Sequence, residues 1–425
     1  MSTYGTLSNQ GALLEHTFTG LGLLKMRIGV RRRIAGKVVK ITKPYARKYL
    51  RMSPITSIHN TVDGGKIGAP NTPVEVESRV YPRFQACSTG LTTVAARAES
   101  DALKGNKGGA SNVAKYYINS MLETAVLYDN FMTFRDGTGI VALLGTTVSG
   151  STITVSDGRL LLEGASYEIR SASTGAVLAS FTVSKKANAL TSGYVTVTLV
   201  SSIAANGQAA GDYITWGSGD RASYGKALTG TQALVNDSSA TFQYVSGSSY
   251  PQWSSIVNDN AGTARAIDTR VIRNTMAAIK YRQDDSGFNN KKVRTVFTVP
   301  EIQAELEEMY ESALRIAADT NQVGSPDGNM VFNSALGRWK FDSNYYLPYG
   351  EIQLIDQNEI VNCVWMELSP HGGEGKGGGL MGAYKATTSV LSQVAEFAES
   401  SNLMIFDRST SARITNISMT PVSAR

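Results

Sequence analysis

Between residues 138 and 219 the chain carries no proline, cysteine, methionine or histidine, and only four basic and four acidic residues. Valine, threonine, serine and glycine dominate instead, in short runs at 151–155, 167–170, 176–183, 194–200 and 213–216. Turn formers separate the runs: Asp157-Gly158, Ser173-Thr174-Gly175 and Asn206-Gly207. β-Branched runs of this length, broken by turn residues every roughly 8 to 12 positions, predict a small β-sandwich or barrel. Sequence of different character stands on both sides of the block, so it predicts an inserted unit.

The whole chain of 425 residues exceeds the roughly 100 to 200 residues of one ordinary domain. Hydrophobic residues make up 42% and charged residues 18% of it. An average soluble protein carries roughly 25% charge, so something other than water is expected to cover part of this surface, as in an obligate assembly. The opening residues MSTYGTLSNQGALLEH lack a charged region followed by an unbroken apolar core. No later run approaches the roughly 18 to 20 apolar residues that span a bilayer, so a cytosolic chain without a membrane segment is expected. Cys87 and Cys363 stand far apart among apolar or small residues, which predicts two reduced, mostly buried thiols.

The net charge of +6 conceals a strong asymmetry. Residues 1–51 hold eleven Lys or Arg against one acid, Glu15, while the remainder is mildly acidic. The chain thus reads as a body with a cationic arm. Glycines 11, 20, 22, 29 and 36 interrupt the apolar residues of the arm and oppose one long helix. An extended segment with a short helical piece, ordered by its neighbours, is expected. Arg27, Arg31, Arg32, Arg33, Lys37 and Lys40 are its candidate contacts. They can neutralise nucleic-acid phosphates without reading bases, or pair with acidic surfaces of neighbouring subunits such as the helix at 301–311.

From 53 to 84 the pattern turns to β. Ile55, Ile58 and Val62 lead into Asp63-Gly64-Gly65, and Val74, Val76 and Val80 alternate with Glu75, Glu77 and Tyr81. Pro70, Pro73 and Pro82 confine these strands to sheet edges, so a long hairpin lying on another subunit is predicted. Ser111 starts a helix running to about Arg135, and Gly137 ends it. Beyond the β block come an irregular stretch to Trp253, a helix over 264–281, a strand over 293–299 and an acidic helix over 301–319 opened by Pro300. A strand pair near 349–354 and 360–368, a glycine-rich loop at 372–379, a helix over 388–399 and a strand over 412–419 complete an α+β body.

Catalytic chemistry finds little support. Gly375-Lys376 suggests a phosphate loop, yet the required first glycine falls on Pro370 and the following hydroxyl on Gly377. His16, His59 and His371 have no partner at metal-ligand spacing. No Gly-x-Ser-x-Gly elbow is present, and the pairs Asp284-Asp285 and Glu307-Glu308 are adjacent residues that point to different helix faces. The expectation is a protein that is not an enzyme and holds no cofactor or metal.

The order of arm, hairpin, long helix and late α+β body resembles the tailed-bacteriophage major capsid protein family, whose Hong Kong 97-type fold also appears in encapsulins. Local echoes are Leu228-Thr229-Gly230 before Ala233-Leu234-Val235-Asn236-Asp237, Tyr250-Pro251-Gln252-Trp253, Val296-Phe297-Thr298-Val299-Pro300, Ile352-Gln353-Leu354-Ile355-Asp356 and the late Asn402-Leu403-Met404. The resemblance implies a basic N-terminal arm (1–50), an extended hairpin loop (51–90) and a peripheral domain with a spine helix (91–137). It implies further an inserted β-domain (138–219), a return to the peripheral domain (220–261), an axial domain (262–395) and a closing peripheral strand (396–425).

It implies too a shell subunit that forms pentamers and hexamers around double-stranded DNA, with an encapsulin-like compartment as the alternative. The expected location is the virion capsid, assembled in the host cytoplasm. Expected partners are further copies of the chain, DNA bound non-specifically, a portal, a decoration protein and, since no acidic coiled coil opens the chain, a separate scaffolding protein. Asp63, Lys66, Glu75, Glu77 and Arg79 become inter-subunit contacts of the hairpin, and Gly373, Lys376 and Gly378 a pore rim. Lys66 invites comparison with members welded by Lys–Asn isopeptide bonds, for which this sequence carries no signature.

Overall fold

Among the described residues the chain begins with a short helix, α1 (Val30–Ile34), which leads into β1 (Lys37–Lys40). The computed structural model describes residues 30–52, 74–92, 113–146, 148, 150–191, 194–204, 206–219, 222–282, 293–314, 331–334, 337–370, 384–386 and 392–418. Along these, β2 (Ala46–Arg51) and β3 (Glu75–Val80) precede β4 (Arg83–Thr92) and the long helix α2 (Val113–Thr133). Next come β5 (Ile140–Leu143), β6 (Gly150–Val155), β7 (Ser166–Arg170), β8 (Val177–Thr191), β9 (Tyr194–Ile203) and β10 (Tyr213–Trp216). A short helix α3 (Thr231–Leu234), β11 (Thr241–Phe242), β12 (Val245–Ser246), β13 (Ile256–Asn258), α4 (Thr269–Arg282), β14 (Val293–Thr298) and α5 (Pro300–Leu314) follow. The remaining strands among the described residues are β15 (Val331–Ser334), β16 (Gly337–Ser343), β17 (Ile352–Ile355), β18 (Ile360–Pro370), β19 (Tyr384–Ala386), β20 (Ser392–Ile405) and β21 (Ala412–Ile414).

β20 organises the first sheet. β4 pairs along one edge of it, from Thr92 opposite Ser392 to Arg83 opposite Ser401, and β18 and β19 share the other edge. β1 adds to β18 in parallel at the rim. The helix expected over 388–399 is therefore corrected to a strand from Ser392 onward. Its Ala and Glu residues favour a helix by only a few tenths of a kcal/mol each, and ladder pairing on both edges outweighs that. β4 likewise joins this sheet, so the hairpin proper is β2 with β3, paired from Ala46 opposite Val80 to Arg51 opposite Glu75.

The second sheet runs β13-β21-β17-β14-β16-β15. Apolar faces of α4 (Ile272, Met276, Ile279) and α5 (Ile302, Leu306) share one buried cluster with Phe297, Trp339, Phe341 and Leu354 of its strands. Pro300 and Glu301 open α5, where a missing N–H costs nothing and a carboxylate suits the helix dipole. The closing strand expected over 412–419 is β21, which lies between β13 and β17. Its register accounts for the place: Ala412 and Ile414 are fully buried opposite Leu354 and Ile352.

The third sheet, β5-β10-β7-β8-β9-β6, draws every strand from residues 140–216 and buries Ile153, Tyr167, Ile169, Val183, Val197 and Ile214. Gly145 N–H donates to Thr154 O at 2.7 Å and Ser156 N–H to Leu143 O at 2.9 Å, so the first and last strands meet and the sheet closes on itself. Phe131 and Met132, at the end of α2, complete its core. α2 thus spans roughly 31 Å at 1.5 Å per residue, and its last turn belongs to this core. Gly230 makes the crossing there possible: a Cβ at that position would lie 2.3 Å from the carbonyl oxygens of both Met132 and Arg135.

Candidate functional site

The arm and the hairpin root carry most of the candidate residues, and local packing sets the place of each. Val30 N–H donates to Asn130 Oδ1 at 3.0 Å, which fixes the start of α1 against α2. The next residue turns inward. Arg31 is 6% exposed, pairs with Asp129, reaches Glu399 Oε1 at 2.7 Å and donates to Ser401 Oγ. Burial alone would lower its pKa, but Asp129 and Glu399 outweigh that and hold it above the ordinary arginine value.

Arg31, expected as a DNA-facing or inter-subunit cation, is consequently a buried tie between arm, spine helix and β20. Sequence could not pair it, since Asp129 and Glu399 stand 98 and 368 positions away. Arg33, Lys37 and Lys40 are exposed, and Lys40 forms a solvent-facing pair with Glu367 at 2.9 Å. Between the lysines, Val38 and Val39 are 52% and 41% exposed on the rim strand. Arg27 lies outside the described residues, as does the side chain of Arg32.

The hairpin root is held by two small cores. Ala46 and Val80 pack with Val361, Cys363 and Met404, while Leu50 and Met52 pack with Val245 and Trp253. Hydrogen bonds reinforce this: Arg79 N–H donates to Gln243 O at 2.9 Å, and the Asn402 side-chain amide donates to Tyr81 O at 2.9 Å. Alternation along β2 and β3 then leaves Arg47, Tyr49, Arg51, Glu75, Glu77 and Arg79 on the opposite face.

Arg79 donates to Glu77 Oε2 at 2.7 Å, and that hydrogen bond holds the Glu77 carboxyl below its usual range. The same guanidinium lies 5.1 Å from the Tyr45 ring and 5.3 Å from that of Tyr244, whose hydroxyl meets the Tyr81 hydroxyl at 3.0 Å. Of the expected hairpin residues, Glu77 and Arg79 are brought together and Glu75 stands exposed nearby. Asp63 and Lys66 lie outside the described residues, with Gly373, Lys376, Gly378 and all three histidines. Gln243 and Tyr244 escaped the sequence reading because nothing in a Gln-Tyr pair signals a turn.

A third cluster joins the closed β-sheet to the body. Arg159 makes paired hydrogen bonds to Asp157, at 2.9 and 2.8 Å, and donates to the carbonyls of Tyr345 and Leu347. Arg135 reaches the same carboxylate at 2.6 Å. Despite burial, these two cations hold Asp157 below the usual carboxylate range. Both thiols are free, and burial raises Cys87 to about 12 and Cys363 to about 11. Among the described residues no three His, Cys, Asp or Glu side chains converge on one metal position, and no helix is long and apolar enough to cross a membrane.

The architecture matches solved capsid structures over nearly its full length. The cyanophage A-1(L) capsid chain superposes with a TM-score of 0.52 at 9% identity, covering 90% of this chain and 91% of that one. The capsid of a native GTA particle follows at 0.44 and 8% identity, covering 91% and 89%. The satellite phage P4 procapsid, which includes the size determination (Sid) protein, gives 0.44 at 8% identity, covering 95% and 99%. At those scores the second and third add nothing to the assignment. The first establishes the fold, that of a phage capsid subunit of the Hong Kong 97 type. No protein-family model and no curated protein sequence matches the chain.

Proposed function

We propose that this chain is the major capsid protein of a tailed bacteriophage, assembling through heterologous contacts into pentamers and hexamers that enclose double-stranded DNA. The observation that carries the reading is the phage-capsid fold extending over 90% of the chain. The hairpin β2–β3 supports it as well, since the hairpin is rooted on the body but presents a face of charged and aromatic residues. The β unit at 138–219 is read as an insertion on the outer surface, open to a decoration protein or to none.

The exposed arm cations Arg33, Lys37 and Lys40 face the interior in this reading and offset packaged phosphate in a weak, salt-sensitive manner. A separate scaffolding protein and a portal direct closure in the host cytoplasm. Electron microscopy of the purified chain, alone and with the candidate scaffold, tests the proposal. Curved shells or closed particles are expected, whereas a stable monomer at high concentration would sink it. Particles filled with protein cargo and no DNA would move the reading to an encapsulin-like compartment.

A further inference from the structure

Gln243 and Tyr244 join β11 to β12 as a two-residue turn, and both have positive φ, 48° and 68°. A turn of that hand is normally built from Asn-Gly, because side chains strain the left-handed backbone. Such strain persists where the surroundings use it. For Gln243 the use is visible: its carbonyl receives Arg79 N–H, and its side-chain amide bonds Leu403 O at 3.2 Å and Ile405 N–H at 3.4 Å.

Tyr244 enters no core. Its ring is 55% exposed above Arg79, beside Tyr81 at 45% and on the hairpin that carries Tyr49 at 56%. Arg47, Arg51 and Arg79 share the platform's face of the hairpin with two acids, Glu75 and Glu77. Exposed tyrosine beside arginine is the composition that concentrates binding energy at protein interfaces. The complementary surface is present on the same chain. α5 carries five glutamates and no base, its Glu307 and Glu308 are exposed, and Met309 is 39% exposed beside them. α5 packs its apolar face on the second sheet, whereas the hairpin root packs on the first.

We propose that α5 of a second copy docks on the Tyr244 platform, with Glu307 and Glu308 against Arg47 and Arg51 and Met309 against the tyrosine rings. Thioether sulfur and aromatic rings attract each other, and opposed charge sets the register. The contact rests on the shell reading and names one interface within it.

Charge reversal on the full-length chain tests the idea, read by particle yield in sedimentation and electron microscopy. Arg47→Glu with Arg51→Glu, and separately Glu307→Lys with Glu308→Lys, each reduce yield by about tenfold or more, and the fourfold variant recovers it. Tyr244→Gly removes the strain, so its Tm holds or rises while its yield falls. Parental yield from either reversed pair, no recovery in the fourfold variant, or a Tyr244→Gly chain that assembles normally would each overturn the contact. Absence of particles from the parent chain is a different result, which defeats the shell reading itself.

Discussion

The guanidinium of Arg159 lies 3.8 Å from the centroid of the Tyr349 ring. One residue belongs to the closed β-sheet unit and the other to the loop before β17. The contact is the centre of a joint in which Asp157, Arg135, Phe131, Tyr345 and the carbonyl of Leu347 all take part. These contacts tie the β unit to the loop that precedes β17.

Removing one partner of that joint leaves a buried charge without its counterpart. Arg159→Ala is expected to destabilise the chain by about 3 to 5 kcal/mol in denaturant titration. Asp157→Ala with Arg159→Ala should cost less than the sum of the single changes, and a strictly additive double variant would show that the two are not coupled.

Acid should loosen the same joint. Asp157 has a folded pKa below its ordinary value of 3.8, so its stabilising contribution is complete above that value and is lost as pH falls through the depressed folded one. Asp157→Asn should therefore flatten the acid limb of the stability-against-pH curve below about pH 4. An unchanged slope would remove Asp157 from the acid response.

At Gly230 the test is steric. Gly230→Ala places a methyl 2.3 Å from two carbonyl oxygens of the chain leaving α2, and backbone cannot swing aside as a side chain does. A loss of about 2 kcal/mol or more, seen as a lower Tm, is expected. Wild-type stability would mean that the crossing is looser than the geometry shown.

Arg31→Ala should free the arm. Asp129 and Glu399 would then face each other without the cation between them, and α1 would keep its backbone tie to Asn130 and the burial of Val30 and Ile34. Limited proteolysis should cut between residues 30 and 40 faster by about tenfold or more, since cleavage tracks the free energy of local opening. Equal cleavage rates would show that the arm is held elsewhere.

Much of this organisation is visible in the chain itself. The strand runs of 150–216, the long helix ending before Gly137, the short helix in a glycine-broken arm and the Pro300 start of α5 follow from local chemistry: period, turn formers and helix caps. Those signals act over a few residues, and they carried the fold class through.

Tertiary structure decided what depends on distant partners. Residues 392–405 become a strand because β4 and β18 pair with both edges, a context that no local propensity encodes. β21 takes its place in the second sheet through the fit of Ala412 and Ile414. Arg31 changes from surface cation to buried tie because the fold brings Asp129 and Glu399 to it. Composition and spacing set which elements form, while long-range pairing and burial set which edge, core or counter-charge each one meets.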